Sequence, residues 1–258
     1  MNGVDGARRM QTGVKGLDEI TGGGFLFPST VTVSGGPGTG KTILASEFLY
    51  RGAIDHGDPG VYVSLGESKR EFFQHTASFG WDFSILEKQG TFLFLDFTFE
   101  NLVNVIYDKH DMDDEVDGTP EKNGAYWDIV SNFFNVLIEN VRAIGARRVV
   151  IDPLNVLKLV FPNPFIARRE IMRLFSILSD ISCTTLVVSE LEQKAGFSVE
   201  EFSSSGIIRL SFETSQHLMQ RTLIIYKLRG ISFNEKVFSI KIGRDGLEII
   251  GEMVMFQG

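Results

Sequence analysis

Short apolar runs alternate along the chain with segments whose apolar side chains recur at helical spacing, which predicts an α/β fold. The expected core is a mostly parallel sheet with helices on both faces. Strands are predicted at Thr30–Ser34, Val61–Leu65, Thr91–Leu95, Arg148–Asp152 and Thr184–Ser189, and helices over Lys41–Ile54 and Lys69–Ser78. Tyr126, Val130, Phe133, Phe134, Leu137, Val141 and Ile144 fall on one helical face, as do Ile171, Leu174, Phe175, Leu178 and Ile181 after Pro162 and Pro164. From Gly206 the pattern changes to strands joined by short turns, near 206–213, 221–228, 236–242 and 247–250. An antiparallel C-terminal extension of the sheet is expected there.

At 258 residues the chain fits one large domain, 1–258, with enough apolar sequence to bury a core, so global disorder is excluded. The formal net charge is −8, which removes the basic footprint that nucleic acid or an anionic membrane surface requires. Much of that acidity lies at about 108–124, a polar segment with the composition of an exposed loop. Its spacing imitates a calcium loop, but Gly124 stands where a bidentate Glu is needed. Cys183 sits in an apolar stretch and reads as a buried thiol, and no apolar run reaches the ~18 residues of a membrane span. A cytoplasmic protein with no membrane partner is expected.

The strongest chemical signal is Gly35-Gly36-Pro37-Gly38-Thr39-Gly40-Lys41-Thr42, a G-x-x-x-x-G-K-[ST] sequence between a predicted strand and a predicted helix. Such a turn points successive N–H groups inward at phosphate oxygens, and the helix N-terminus adds positive potential. Gly36, Pro37, Gly38, Thr39, Gly40, Lys41, Thr42 and Ile43 are therefore expected to bind ATP or ADP. Lys41 would reach the β- and γ-phosphates, and Thr42 would offer its hydroxyl to Mg²⁺. Asp152, at the end of an apolar strand, is the expected second Mg²⁺ anchor. Pro153 follows it, so a catalytic acid must come from elsewhere, and Glu67, after VYVSL, is the candidate to orient the attacking water. Ser189 ends the strand after Asp152 and is a candidate to sense the γ-phosphate. In TLIIYKLRG, Lys227 and Arg229 emerge on one side of a strand as a pair of cations.

Taken in order, TGVKGLDEITGGGF (12–25), GGPGTGKT, VYVSLGES (61–68), FGWDF (79–83), RRVVIDPLNVL (147–157), TTLVVSE (184–190), GFSVEEFSSSGIIRL (196–210) and TLIIYKLRGISF (222–233) resemble a single-domain member of the KaiC-like branch of the RecA superfamily. The resemblance spans nearly the whole chain. It implies a RecA-type P-loop core, ATP and Mg²⁺ at subunit interfaces, and a homo-hexameric ring in which Lys227 and Arg229 reach the neighbouring subunit's nucleotide. Family members commonly carry two adjacent acids after the second strand, the first taken as the catalytic base. Here Gly66 precedes Glu67.

Two readings follow: a ring-forming ATPase with Lys41, Glu67, Lys227 and Arg229 as catalytic residues, or an ATP-dependent assembly switch that hydrolyses little. A Gly66→Glu exchange is expected to separate them. The family's clock-type autokinase activity is not expected, because Glu200-Glu201-Phe202 resembles the clock protein's non-phosphorylated half; Ser203, Ser204 and Ser205 stand close by. A DNA-strand-exchange role is disfavoured because Glu192–Gly206 holds three acids against Lys194 alone. An unidentified protein partner remains open.

Overall fold

The protein is described here from a computed structural model covering residues 8–98, 101, 125–161, 163–191, 197–215 and 218–253. The acidic segment at 108–124 lies outside these residues. The strands are β1 (Arg9–Met10), β2 (Phe25–Leu26), β3 (Ser29–Gly35), β4 (Gly60–Ser64), β5 (Phe92–Asp96), β6 (Arg148–Asp152), β7 (Thr184–Glu190), β8 (Gly206–Ser215), β9 (Leu218–Leu228), β10 (Val237–Gly243) and β11 (Gly246–Glu252). The helices are α1 (Leu17–Ile20), α2 (Lys41–His56), α3 (Lys69–Ala77), α4 (Phe83–Lys88), α5 (Ala125–Ala143), α6 (Leu154–Lys158), α7 (Pro164–Asp180) and α8 (Val199–Ser203).

Nine strands form one sheet in the order β11-β10-β9-β8-β3-β7-β6-β4-β5, and β1 pairs with β2 apart from it. The six strands from β8 to β5 are parallel. β9, β10 and β11 complete the sheet in antiparallel pairs. The expected antiparallel extension is present, with one refinement: its first strand, β8, is held parallel to β3, and the reversal comes at β9.

Side-chain alternation on the buried strands divides the core in two. Val150 joins Val31, Val33, Leu44, Phe48, Phe72 and Phe83 beneath α2, α3 and α4. Val149 and Ile151 face the other way, against Phe133, Leu137, Leu174 and Leu178 of α5 and α7. These are the two helical stripes visible in the sequence. α3 begins at a capping box in which Ser68 and Glu71 satisfy each other's backbone N–H groups. α4 escapes a periodicity reading because it is too short to show one. It starts where the Asp82 side chain accepts from the N–H groups of Ser84 and Ile85. Cys183 is buried as expected, and burial pushes its thiol up to about 11.

α2 also carries an acid into the interior. Glu47 is 2% exposed and accepts a hydrogen bond of 2.8 Å from the N–H of Leu247, which ties the β10–β11 hairpin to α2. Burial raises its carboxyl to about 7, against a smaller lowering effect from that hydrogen bond and from Arg51.

Candidate functional site

Parallel strands end side by side, so the loops after β3, β4, β6 and β7 gather at one edge of the sheet. After β3 the chain turns through Gly36 to Gly40 into α2. Gly40, with φ of 108°, caps that helix from a left-handed conformation that disfavours any side chain. Among the described residues nothing accepts from the N–H groups of Gly38, Thr39 or Gly40. Lys41, Thr42 and Ile43 add the unpaired N–H groups of a helical first turn. The loop is braced from within, because the Lys41 ammonium and the Thr39 hydroxyl each donate to Gly36 O at 2.8 Å. Arg221, at the near end of β9, donates to Gly38 O at 3.1 Å and lies over the Phe212 ring.

The loop opens on a cavity of about 690 Å³ whose lining includes Lys41, Thr42, Tyr62, Glu67, His75 and Asp152. Pro37, Gly38 and Ile43 share that wall. Asp152 is buried, and Tyr62 Oη donates to its carboxylate at 3.0 Å. Burial raises the Asp152 pKa, opposed by the nearby Thr42 and Tyr62 hydroxyls and the Lys41 charge. Burial equally lowers the Lys41 pKa, opposed by Glu190 and Asp152. A hydroxyl and a carboxylate lining one cavity, beside unpaired N–H groups and a lysine, suit Mg²⁺ with a polyphosphate.

Glu67 stands just after β4, where Tyr62 Oη lies 3.4 Å from its Oε1 and His75 Nδ1 lies 3.1 Å from its Oε2. Burial raises the Glu67 pKa, and the His75 hydrogen bond opposes it. Gly66 packs against Pro153: a Cβ there would lie 2.9 Å from Pro153 Cδ. The Gly66→Glu exchange is therefore a poor diagnostic, because the rigid proline ring must shift before any side chain fits.

Ser189 is placed otherwise than a phosphate sensor needs. It is 1% exposed, its hydroxyl donates to Glu200 Oε1 and lies 3.2 Å from Asn155 Oδ1, and its neighbour Glu190 lines the cavity instead. Glu200 and Glu201 are buried too. Glu200 pairs with Lys158 at 2.9 Å, and Glu201 with Arg209 and the Ser34 hydroxyl at 2.8 and 2.7 Å. These acids thus add no surface charge near Glu192–Gly206, and that part of the charge argument against DNA fails.

Lys227 and Arg229 are absent from the cavity lining. Ile207 pairs with Lys227 and with Thr32, so Lys227 is two strands from β3 and set back toward the opposite end of the sheet. Its ammonium donates to Ser204 O at 2.6 Å and Phe202 O at 3.2 Å. Arg229 follows the end of β9, exposed.

Comparison with known proteins agrees with this geometry. The family model described as "ATPase: KaiC" matches residues 10–254. A UPF0273 protein of Pyrococcus furiosus is 34% identical over 97% of both chains, and one of Thermotoga maritima is 35% identical over 94% of this chain and 96% of that protein. Among solved structures, a KaiC-like protein from the hyperthermophilic archaeon Pyrococcus horikoshii superposes with a TM-score of 0.79 at 31% identity, covering 95% of this chain and 99% of that one.

Proposed function

Because the chain belongs to the KaiC family of ATPases, we propose that it binds ATP with Mg²⁺ at the β3–α2 loop, hydrolyses it, and assembles into a ring with nucleotide between subunits. The observation that carries this reading is the convergence of Lys41, Thr42, Asp152 and Glu67 on one cavity. Thr42 and Asp152 would hold Mg²⁺, which supplies charge neutralisation at the phosphate oxygens. Lys41 sets its charge against the β- and γ-phosphates. Glu67 takes a proton from the attacking water while His75 holds its carboxylate in place.

Lys227 and Arg229 sit away from their own chain's cavity, which favours their acting on a neighbour's nucleotide. Cations of that kind contribute on the order of 10³–10⁵ in rate. A slow assembly switch is the second reading, favoured by the proline-backed Gly66 that leaves Glu67 as the single acid after β4.

Light scattering without nucleotide, with ATP–Mg²⁺ and with ADP–Mg²⁺, paired with a phosphate-release assay, tests both. An ATP-dependent ring that releases phosphate supports the ATPase, and a ring that releases almost none supports the switch. A monomer indifferent to nucleotide overturns ring and trans cations together.

A further inference from the structure

A second concentration of charge lies at the other end of the sheet. β3 runs seven residues from Ser29 to Gly35, and Ser29 is level with Thr184, while Thr184 is level with Arg148. The start of β6 is therefore about 20 Å along the strands from the phosphate loop. Here Arg8, Arg9, His56, Asp58, Arg147 and Arg148 line a cavity of about 330 Å³. Four guanidinium charges face a single carboxylate in a chain whose formal net charge is −8.

Asp58 is fully committed. Its Oδ2 accepts from Arg148 Nε and a terminal nitrogen at 3.1 and 2.8 Å, and its Oδ1 pairs with Arg147 at 2.8 Å. Arg148 is 1% exposed and gives its remaining terminal nitrogen to Phe48 O at 3.0 Å, so Asp58 is needed to keep that buried charge in place. Arg8 and Arg9 meet no carboxylate among the described residues.

Arg8, Arg9 and Arg147 are held in position. The Arg8 and Arg147 guanidiniums lie 4.9 and 5.2 Å from the centroid of the Phe27 ring. Arg9 is steered by Gly24 O and Thr21 O at 3.2 and 3.5 Å. Each keeps further N–H donors. Gathering like charges around a concave site costs energy unless an anion offsets it, and a planar guanidinium matches a phosphate bidentately.

We propose that this cleft is a second ligand site, which takes a small, multiply charged phosphate. Its size admits a condensed inorganic phosphate or a compact phosphate ester. The proposal does not depend on hydrolysis or ring assembly.

The test uses the full chain with the β3–α2 loop saturated by ADP–Mg²⁺, titrated calorimetrically with inorganic tripolyphosphate and separately with AMP. One further equivalent per chain is expected. Tighter binding of tripolyphosphate marks a condensed phosphate, and tighter binding of AMP marks a phosphate ester. Arg8→Gln, at an exposed position, and Arg147→Gln should each weaken this binding about tenfold and leave ADP affinity unchanged. No second equivalent of either ligand overturns the proposal, as does binding indifferent to Arg8→Gln. Retention of a short DNA duplex that depends on the same arginines, in place of either small ligand, overturns it in favour of a nucleic-acid surface.

Discussion

Replacing Glu47 with Gln should stabilise the protein, and increasingly so as pH rises. The carboxyl is raised from 4.5 to about 7, chiefly by burial. In the unfolded chain it loses its proton near 4.5, whereas in the folded chain it keeps that proton until about 7. The folded state therefore binds more protons across this interval, and stability falls with rising pH through the window. Below it the group has no effect on stability; above it the full cost is present. Moving the carboxyl from 4.5 to about 7 costs about 3.5 kcal/mol in full. Glutamine has no such titration, yet its amide oxygen still accepts from Leu247 N. The difference between variant and parent should grow by about 3 kcal/mol between pH 4.5 and pH 8. With m near ~3 kcal/mol per molar urea, that is about 1 M in unfolding midpoint. Urea titrations at pH 4.5, 6, 7 and 8, at fixed protein concentration and without nucleotide, measure it. A difference that stays constant across this range refutes the reasoning, whatever its absolute size.

Other substitutions probe the remaining sites. Glu67→Gln should lower kcat for phosphate release at least 100-fold while nucleotide still binds, as measured by a coupled phosphate assay alongside equilibrium dialysis. His75→Ala should lower kcat about tenfold with KM little changed, and His75→Asn, whose amide can replace Nδ1, should recover much of that loss. Gly52→Ala ought to improve helix propensity but instead should cost about 2–4 kcal/mol in chemical denaturation, because its Cβ would lie 2.2 Å from Arg148 Nε. Mixing a Lys41→Ala chain with a Lys227→Ala/Arg229→Ala chain, each inactive alone, should restore part of the turnover if the cations act between subunits; no recovery on mixing counts against it.

What could be read in advance follows the distance over which each signal acts. The phosphate loop and the parallel strands are encoded locally, by glycine positions and by alternation within a few residues, and the placement of Gly36–Thr42, Glu67 and Asp152 after strands at one end of the sheet was legible for that reason. Tyr62 was not, because within VYVSL it looks like one more buried strand residue. Its role depends on β6 lying beside β4, which brings Asp152 to its hydroxyl. His75 becomes visible only once α3 is known to begin at the Ser68 cap and carry it back toward Glu67. Glu200 and Glu201 read as surface acids because the partner of the first, Lys158, is 42 residues away, and that of the second, Arg209, lies on β8, beyond the end of their own helix. Ser189 was placed correctly at a strand end, but the orientation of its hydroxyl is decided by Glu200, from a helix that sequence periodicity does not reveal. Arg221 gave no signal, since its carbonyl acceptor in the phosphate loop is 183 residues away.

The contact between Gly66 and Pro153 also bears on how this chain could change over generations. A substitution that restores an acid at position 66 arrives with a Cβ 2.9 Å from a proline ring that cannot swing aside. It is costly on its own and becomes tolerable only in a background where position 153 has already been replaced by something that yields. Replacement of Pro153 must come first, while nothing yet rewards it. The two positions are therefore coupled, and the route to a pair of acids runs in a single order.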